Sequence, residues 1–273
     1  MSQAAEKTAT PEPVLLREDA DGIARLTMNR PASRNSLAES LMSALTAELN
    51  AIADDKSVRA VVLAGNGPGF CAGHDLKELT AARSEADRGR AYYVKIMNQC
   101  STLMQTIVAC PKPVIARVHG IATAAGCQLV ASCDLAIASD HAKFATPGVN
   151  IGLFCSTPMV ALSRNVGRKQ AMEMLLTGEM IDAERAAEFG LVNRVVPASE
   201  LDAAVAHIAG IVASKSTLTV ATGKKAFYEQ LEKPLAEAYD YASDVMVTNM
   251  LARDAEEGIG AFIEKREPKW EDR

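Results

Sequence analysis

Polar and apolar positions change period several times along this chain, and each change marks an element. Val14 to Glu18 and Ile23 to Met28 have strand character, and Asp21-Gly22 between them is a two-residue hairpin signal. Leu37, Leu41, Leu45, Leu49 and Ile52 then repeat at helical spacing as far as Asp54, and Ser36-Leu-Ala-Glu39 fits a capping box at the start of that helix. Arg59 to Ala64 is a short apolar run that reads as a buried strand.

The next stretch, Gly65 to Asp75 (GNGPGFCAGHD), is rich in glycine. It lacks the Lys-Ser/Thr ending of a nucleotide P-loop and the G-x-G-x-x-G spacing of a dinucleotide site. A short helix is expected from Asp75 to Ala82, and a long one from Ala86 to Ala109, closed off by Pro111 and Pro113. A β-branched run, Val114 to Val118, breaks at His119-Gly120, and small residues lead into a helix over Ala124 to Cys133. A strand at Leu135 to Ser139 follows. A helix start exposes unpaired N–H groups and the positive end of the macrodipole, so the Ala124-Ala125-Gly126 corner is suited to a negatively charged oxygen. The glycine-rich loop, placed between a strand and a helix, is a second candidate for N–H groups aimed at a ligand.

From Thr157 the pattern is helical: Pro158 to Val166, Lys169 to Leu176 with Thr177-Gly178 as a stop, and Asp182 to Phe189, interrupted by one strand in Leu191 to Val196. Beyond Pro197, helices are expected over Ser199 to Ala213, Ser216 to Glu232, Pro234 to Asn249 and Asp254 to Glu264, with Asp254-Ala-Glu-Glu257 as a second capping box. The division this suggests is a flexible polar tail over 1–13, an α/β core over 14–197 and a helical region over 198–273.

Composition narrows the classes. Hydrophobic residues make up 48% and charged residues 23%, which is ordinary for a globular chain, and the formal charge of −5 offers no general basic face to nucleic acid. The six cysteines lack a paired C-x-x-C spacing, so they read as packed thiols, without metal. No apolar run approaches the ~20 residues that span a bilayer. The first residues, with Glu6, Lys7 and Glu12 and no apolar core, read as neither a secretory signal nor a transit peptide, and a cytoplasmic protein is expected.

Several motifs resemble the crotonase superfamily, the enoyl-CoA hydratase/isomerase fold: Met28-Asn-Arg-Pro31 with Asn35-Ser-Leu37, Phe70-Cys-Ala-Gly-His-Asp-Leu-Lys77, His119 to Gln128, Cys133-Asp-Leu135, Phe144-Ala-Thr-Pro147 and Gly190-Leu-Val-Asn193. They occur in family order and cover nearly everything from Val14 on. The resemblance implies an α/β spiral of ββα units with a C-terminal helical region that builds homotrimers or homohexamers, an acyl-CoA thioester as ligand, and no cofactor beyond the coenzyme A of the substrate. By position the oxyanion-hole amides fall on His74 and Ala125. The surrounding loop, Ala72, Asp75, Leu76 and Lys77, together with Arg30 and Arg34, is implied in substrate binding. Arg30, Arg34 and Lys77 are the candidates for the CoA phosphates, with Lys265 and Arg266 joining from the C-terminal end.

The chain departs from the family pattern at one place. The two glutamates that activate water in the family's hydratases are replaced by Gln128 and Gly148, neither of which can take up a proton near neutral pH. Replacement by His74, Cys155, Ser156 or Asp134 depends on whether the fold brings them close. Three readings stay open: another enolate reaction such as isomerisation or thioester hydrolysis, a residual hydratase, and a non-catalytic acyl-CoA-binding subunit.

Overall fold

The computed structural model describes residues 12–273, so all but the last two positions of the expected tail lie outside the described residues. Strands β1 (Leu15–Ala20) and β2 (Ile23–Met28) form the expected hairpin, with Asp21 and Gly22 turning at φ 52° and 76°. Helix α1 (Glu39–Asp54) buries Leu41, Met42, Leu45, Leu49 and Ile52. The capping box at its start does not form. Ala38 occupies the N-cap, the Ser36 hydroxyl donates to Asp75 at 3.2 Å, and the Glu39 N–H donates to Glu78 at 3.1 Å. A carboxylate from a later helix therefore satisfies the donor that the local pattern assigned to Ser36.

Three strands of the core are each followed at once by a short strand in a second sheet, and this alternation makes the spiral. After β3 (Ala60–Gly65) comes β4 (Gly69–Cys71), then helices α2 (Leu76–Ala81) and α3 (Arg90–Ala109). Helix α3 begins later than expected because Asp87 accepts from the N–H groups of Gly89 and Ala91 and turns the chain there. After β5 (Val114–Val118) comes β6 (Ile121–Thr123), then α4 (Ala125–Ser132). After β7 (Leu135–Ser139) comes β8 (Lys143–Ala145), then a 3₁₀ turn at Pro147–Ile151 and α5 (Pro158–Asn165). The chain continues through α6 (Arg168–Thr177), β9 (Ile181–Asp182), α7 (Ala183–Glu188) and β10 (Arg194–Val196).

The larger sheet has the order β1-β2-β3-β5-β7-β10, parallel except for the opening hairpin, and the smaller has β4-β6-β8-β9. The small sheet escapes a reading by pattern because its strands are two or three residues long, too short to show a period. Helix α8 (Leu201–Ala213) lies on the outer face of the large sheet, where Leu201, Val205 and Ala209 meet Val62, Ile115 and Ile137.

Helices α9 (Thr217–Gln230), α10 (Leu235–Met250) and α11 (Arg253–Glu264) complete the chain. The second capping box is also absent: Ala252 is the N-cap residue of α11, Asp254 is buried and accepts from the N–H groups of Glu271 and Asp272, and Glu257 pairs with Arg266. These helices leave large apolar side chains open, among them Leu251 at 83% and Phe262 at 84% exposure.

Candidate functional site

The glycine-rich loop and the start of α4 meet at Gly73. Its φ of +91° belongs to the region that glycine adopts freely, and an added Cβ would lie 2.9 Å from Ala124 Cβ and 3.3 Å from Ala125 N. A second contact locks the same pair of segments, since a Cβ on Gly126 would fall 2.0 Å from the Cys71 carbonyl oxygen. The residue after Gly73 is His74. Leu37 donates to the Gly73 carbonyl at 2.7 Å and accepts from Asp75 N–H at 3.3 Å, which turns the His74 N–H to the other side of that strip.

Among the described residues neither the His74 N–H nor the Ala125 N–H has an acceptor. Ala125 opens α4, and Ala124 before it is held at φ 51°, ψ −118°, a conformation that costs a non-glycine residue of order 1–3 kcal/mol. The Ala124 N–H donates to Ala145 O at 2.9 Å, which pins this strained corner to β8. Two unpaired donors on touching segments, one at a helix start, are an arrangement able to receive one oxygen with developing negative charge.

The candidate replacement groups are held in different ways. Both ring nitrogens of His74 are enclosed without a hydrogen-bond partner, and burial pushes its pKa below the usual histidine value, with the Leu37 carbonyl opposing weakly. The imidazole is therefore held neutral with both ring nitrogens shielded, which argues against it as the replacement base. Asp75 accepts from Arg30 at 2.9 Å, from Ser36 and from the Lys77 N–H. Burial opposes its charge, but these donors outweigh burial and hold its carboxyl below the usual range. Asp134 is tied to Lys224 at 2.7 Å, to the Tyr228 hydroxyl at 3.0 Å and to the Val114 N–H, which makes it a brace between core and α9. Burial pushes the Cys155 thiol up, although the Gly148 N–H bonded to it works the other way, and Ser156 is exposed with its hydroxyl on Phe154 O.

Gln128 lies one turn along α4 from Ala125, on the same face, and is only 5% exposed. The Cys100 thiol approaches its Oε1 at 3.9 Å, so the amide nitrogen is the end left without a partner among the described residues. Gly148 sits in the 3₁₀ turn with no room for a side chain: a Cβ would lie 2.7 Å from Leu153 O and 2.9 Å from Cys155 Sγ.

The cationic candidates divide into two groups. Arg30 is bound to Asp75 and the Ser36 carbonyl, and Arg266 to Glu257 and Glu264. Arg34, Lys77 and Lys265 are exposed and make no ion pair among the described residues. Ala72 supports the loop, its N–H donating to Arg34 O and its carbonyl accepting from the Thr123 hydroxyl, while Leu76 is exposed at the head of α2. Between α2 and the start of α3 a recess of about 930 Å³ is lined by Ala81, Ala82, Ala86, Ala91 and Tyr92, with Glu78, Glu85 and Lys95 among the charged groups beside them.

The family profile described as enoyl-CoA hydratase/isomerase matches residues 18–273. The chain belongs to the enoyl-CoA hydratase/isomerase family. Within it, the chain is 48% identical over 250 residues to the rat protein named enoyl-CoA hydratase domain-containing protein 3, mitochondrial, covering 92% of this chain and 82% of the relative. A crystal structure titled enoyl-CoA hydratase from Mycobacterium smegmatis superposes with a TM-score of 0.90 at 52% identity, covering 95% of this chain and 99% of that one. The structure of human enoyl coenzyme A hydratase domain-containing protein 3 gives a TM-score of 0.90 at 46% identity, covering 94% and 100%. The rat relative carries a mitochondrial label in its name, so such family members do not support the cytoplasmic location expected from the first residues. No single helix among the described residues is long and apolar enough to cross a membrane.

Two residues packed against the candidate site are not singled out by the hydrophobic pattern of the chain. Gly73 was one glycine among several in its loop, and Cys100 was one apolar position on a long helix; only the packed fold sets them against Ala125 and Gln128.

Proposed function

We propose that this chain binds an acyl-CoA thioester with its carbonyl oxygen between the N–H groups of His74 and Ala125, and stabilises the enolate that forms there. The observation that carries this reading is the pair of unpaired amides brought together by the Gly73 contact. Such fixed donors hold an enolate oxygen more strongly than a ground-state carbonyl, and one can be worth ~3 kcal/mol of barrier. The exposed cations Arg34, Lys77 and Lys265 are the side chains available to the CoA phosphates. Gln128 and Gly148 supply no acid or base, so hydration of enoyl-CoA should run ~10²–10⁴-fold below that of a carboxylate-equipped hydratase.

Calorimetry with butyryl-CoA and a crotonyl-CoA hydration assay test the two halves separately. Binding without rapid hydration is expected, and no affinity for either thioester would remove the site. A homotrimer or dimer of trimers fits the open apolar side chains of α10 and α11, and a monomer by light scattering at micromolar concentration would contradict it.

A further inference from the structure

Residues 267–273 have no part in the acyl-CoA site, yet they are tied down along their length. Helix α11 ends at Lys265, which turns at φ 55°, and the chain then runs back along the helix it has just left. Glu257 pairs with Arg266 at 2.6 Å and accepts from the Lys269 N–H at 2.8 Å. The Trp270 ring lies against Gly258, where an added Cβ would be 3.2 Å from it. The N–H groups of Glu271 and Asp272 donate to Asp254 at 2.7 and 3.1 Å, and the Asp254 N–H donates to Arg273 O at 3.1 Å.

The same segment reaches α8, α9 and the large sheet. The Trp270 indole N–H donates to Ser214 O at 2.8 Å, and Asp272 accepts from the Thr217 N–H at 2.7 Å, so the corner between α8 and α9 is held from two sides. Arg59, at the head of β3, donates to Asp272 at 3.1 Å, to Ala213 O at 2.7 Å and to Lys215 O at 2.6 Å.

This hold is polar. None of residues 267–273 is fully buried, α9 and α10 bury no side chain, and α11 buries only Asp254 and Ala261, whereas α1 and α3 each bury an apolar face. Water replaces most of what a hydrogen bond supplies, so a segment held by such bonds opens at a smaller free-energy cost than one held by apolar burial. Asp254 makes the opening abrupt. It is 2% exposed, and among the described residues its carboxylate accepts only from the N–H groups of Glu271 and Asp272. A buried carboxylate cannot stand without donors, so the segment either covers Asp254 or leaves it to water.

We propose that residues 267–273 form a releasable strap. Docked, it joins α11 to the α8–α9 corner and, through Arg59, to the large sheet, and so fixes where Phe262, Ile263 and Lys265 stand at the open end of α11. Released, it frees α11 while the two sheets and helices α1 to α8 stay folded.

Trp270 is the only tryptophan of the chain, so its emission reads the strap alone. In a urea titration of the native protein, that emission should shift to the red before the circular dichroism is lost, and amide exchange under native conditions should be at least ~10-fold faster in α11 than in β3, β5 and β7. Asp272→Ala, at an exposed position, removes the contacts to Arg59 and Thr217. It should move the emission transition to lower urea and speed exchange in α11 by a further ~10-fold, with the dichroism midpoint and the exchange of the sheets as in the native protein. Asp254→Asn, which weakens the acceptor of the Glu271 and Asp272 N–H groups, should act in the same direction and provides a second variant. Coincident emission and dichroism transitions in the native protein overturn the strap. So does an Asp272→Ala variant in which both midpoints fall together, or in which neither moves. None of these outcomes bears on acyl-CoA binding, which stands or falls by its own calorimetry.

Discussion

A Cβ added to Gly73 would lie 3.3 Å from Ala125 N, so that a side chain at 73 would enter the space beside the Ala125 N–H. Gly73→Ala must therefore be strained in φ and crowded against Ala124 Cβ at the same time. The expected cost is ~2 kcal/mol of stability, read as a lowered urea midpoint, together with a loss of butyryl-CoA affinity as the two amides move apart. A variant with native midpoint and native affinity would show that the contact does not set the spacing of the donors.

Lys224 and Asp134 give a prediction that separates stability from chemistry. Lys224 is 7% exposed at its side chain and donates to Asp134, Ile107 O and Lys112 O, joining α9 to the end of α3 and the start of β5. Lys224→Met leaves the half-buried Asp134 without its cation and should cost ~3 kcal/mol, while Tyr228→Phe, which removes one neutral donor, should cost ~1 kcal/mol. Denaturant titration measures both, and acyl-CoA affinity should stay within a few-fold of native in each folded variant.

The main elements were legible in the chain because α1, α3, β3, β5 and β7 are long enough or apolar enough to impose a period. Asp75, Asp182 and Ser216, at expected helix starts, do cap their helices, but the two capping boxes were misread. Ser36 and Asp254 sit at textually suitable places, yet both are drawn into tertiary bonds, Ser36 to Asp75 and Asp254 to the N–H groups of Glu271 and Asp272, and a local rule cannot see a partner that distant. The same limit applied at the site. The positions of His74, Ala125, Gln128 and Gly148 followed from the family resemblance, but the enclosure of the His74 ring and the crowding at Gly148 depend on what packs beside them.

His74 predicts a dependence of stability on pH. Its pKa is depressed in the fold by burial, so between the ordinary histidine value of ~6.5 and the lower folded value the unfolded chain binds more protons than the folded one. Stability is then fully present above that window and falls as pH drops through it. His119 is depressed in the same direction, by burial first, and contributes alongside. Urea midpoints at pH 7.5 and 5.5 should differ less in His74→Leu than in the native protein. An equal difference in the two would mean that the His74 ring is not held neutral by the fold.

Under the proposed reading Gln128 and Gly148 take the places of a hydratase's two glutamates, and restoring the two carboxylates is not symmetrical. A Cβ at Gly148 would lie 2.7 Å from a backbone carbonyl, Leu153 O, so the obstacle is main chain and Cys155→Ala would relieve only the 2.9 Å contact with sulfur. Gly148→Glu must shift the 148–155 turn and should lose at least ~2 kcal/mol. Gln128→Glu has the space of the native amide, but the site is buried and raises the pKa of the new carboxyl. The single Gln128→Glu variant should therefore fold, bind butyryl-CoA and hydrate crotonyl-CoA only modestly faster than native, because a partner acid is still missing. The double variant should be no faster than the single one, since the turn that would place its second carboxylate has been displaced. Stopped assays of crotonyl-CoA hydration beside urea midpoints decide the matter. A double variant with a native midpoint and hydration well above that of Gln128→Glu would show that the turn yields without cost and that the pocket is a hydratase scaffold short of two groups.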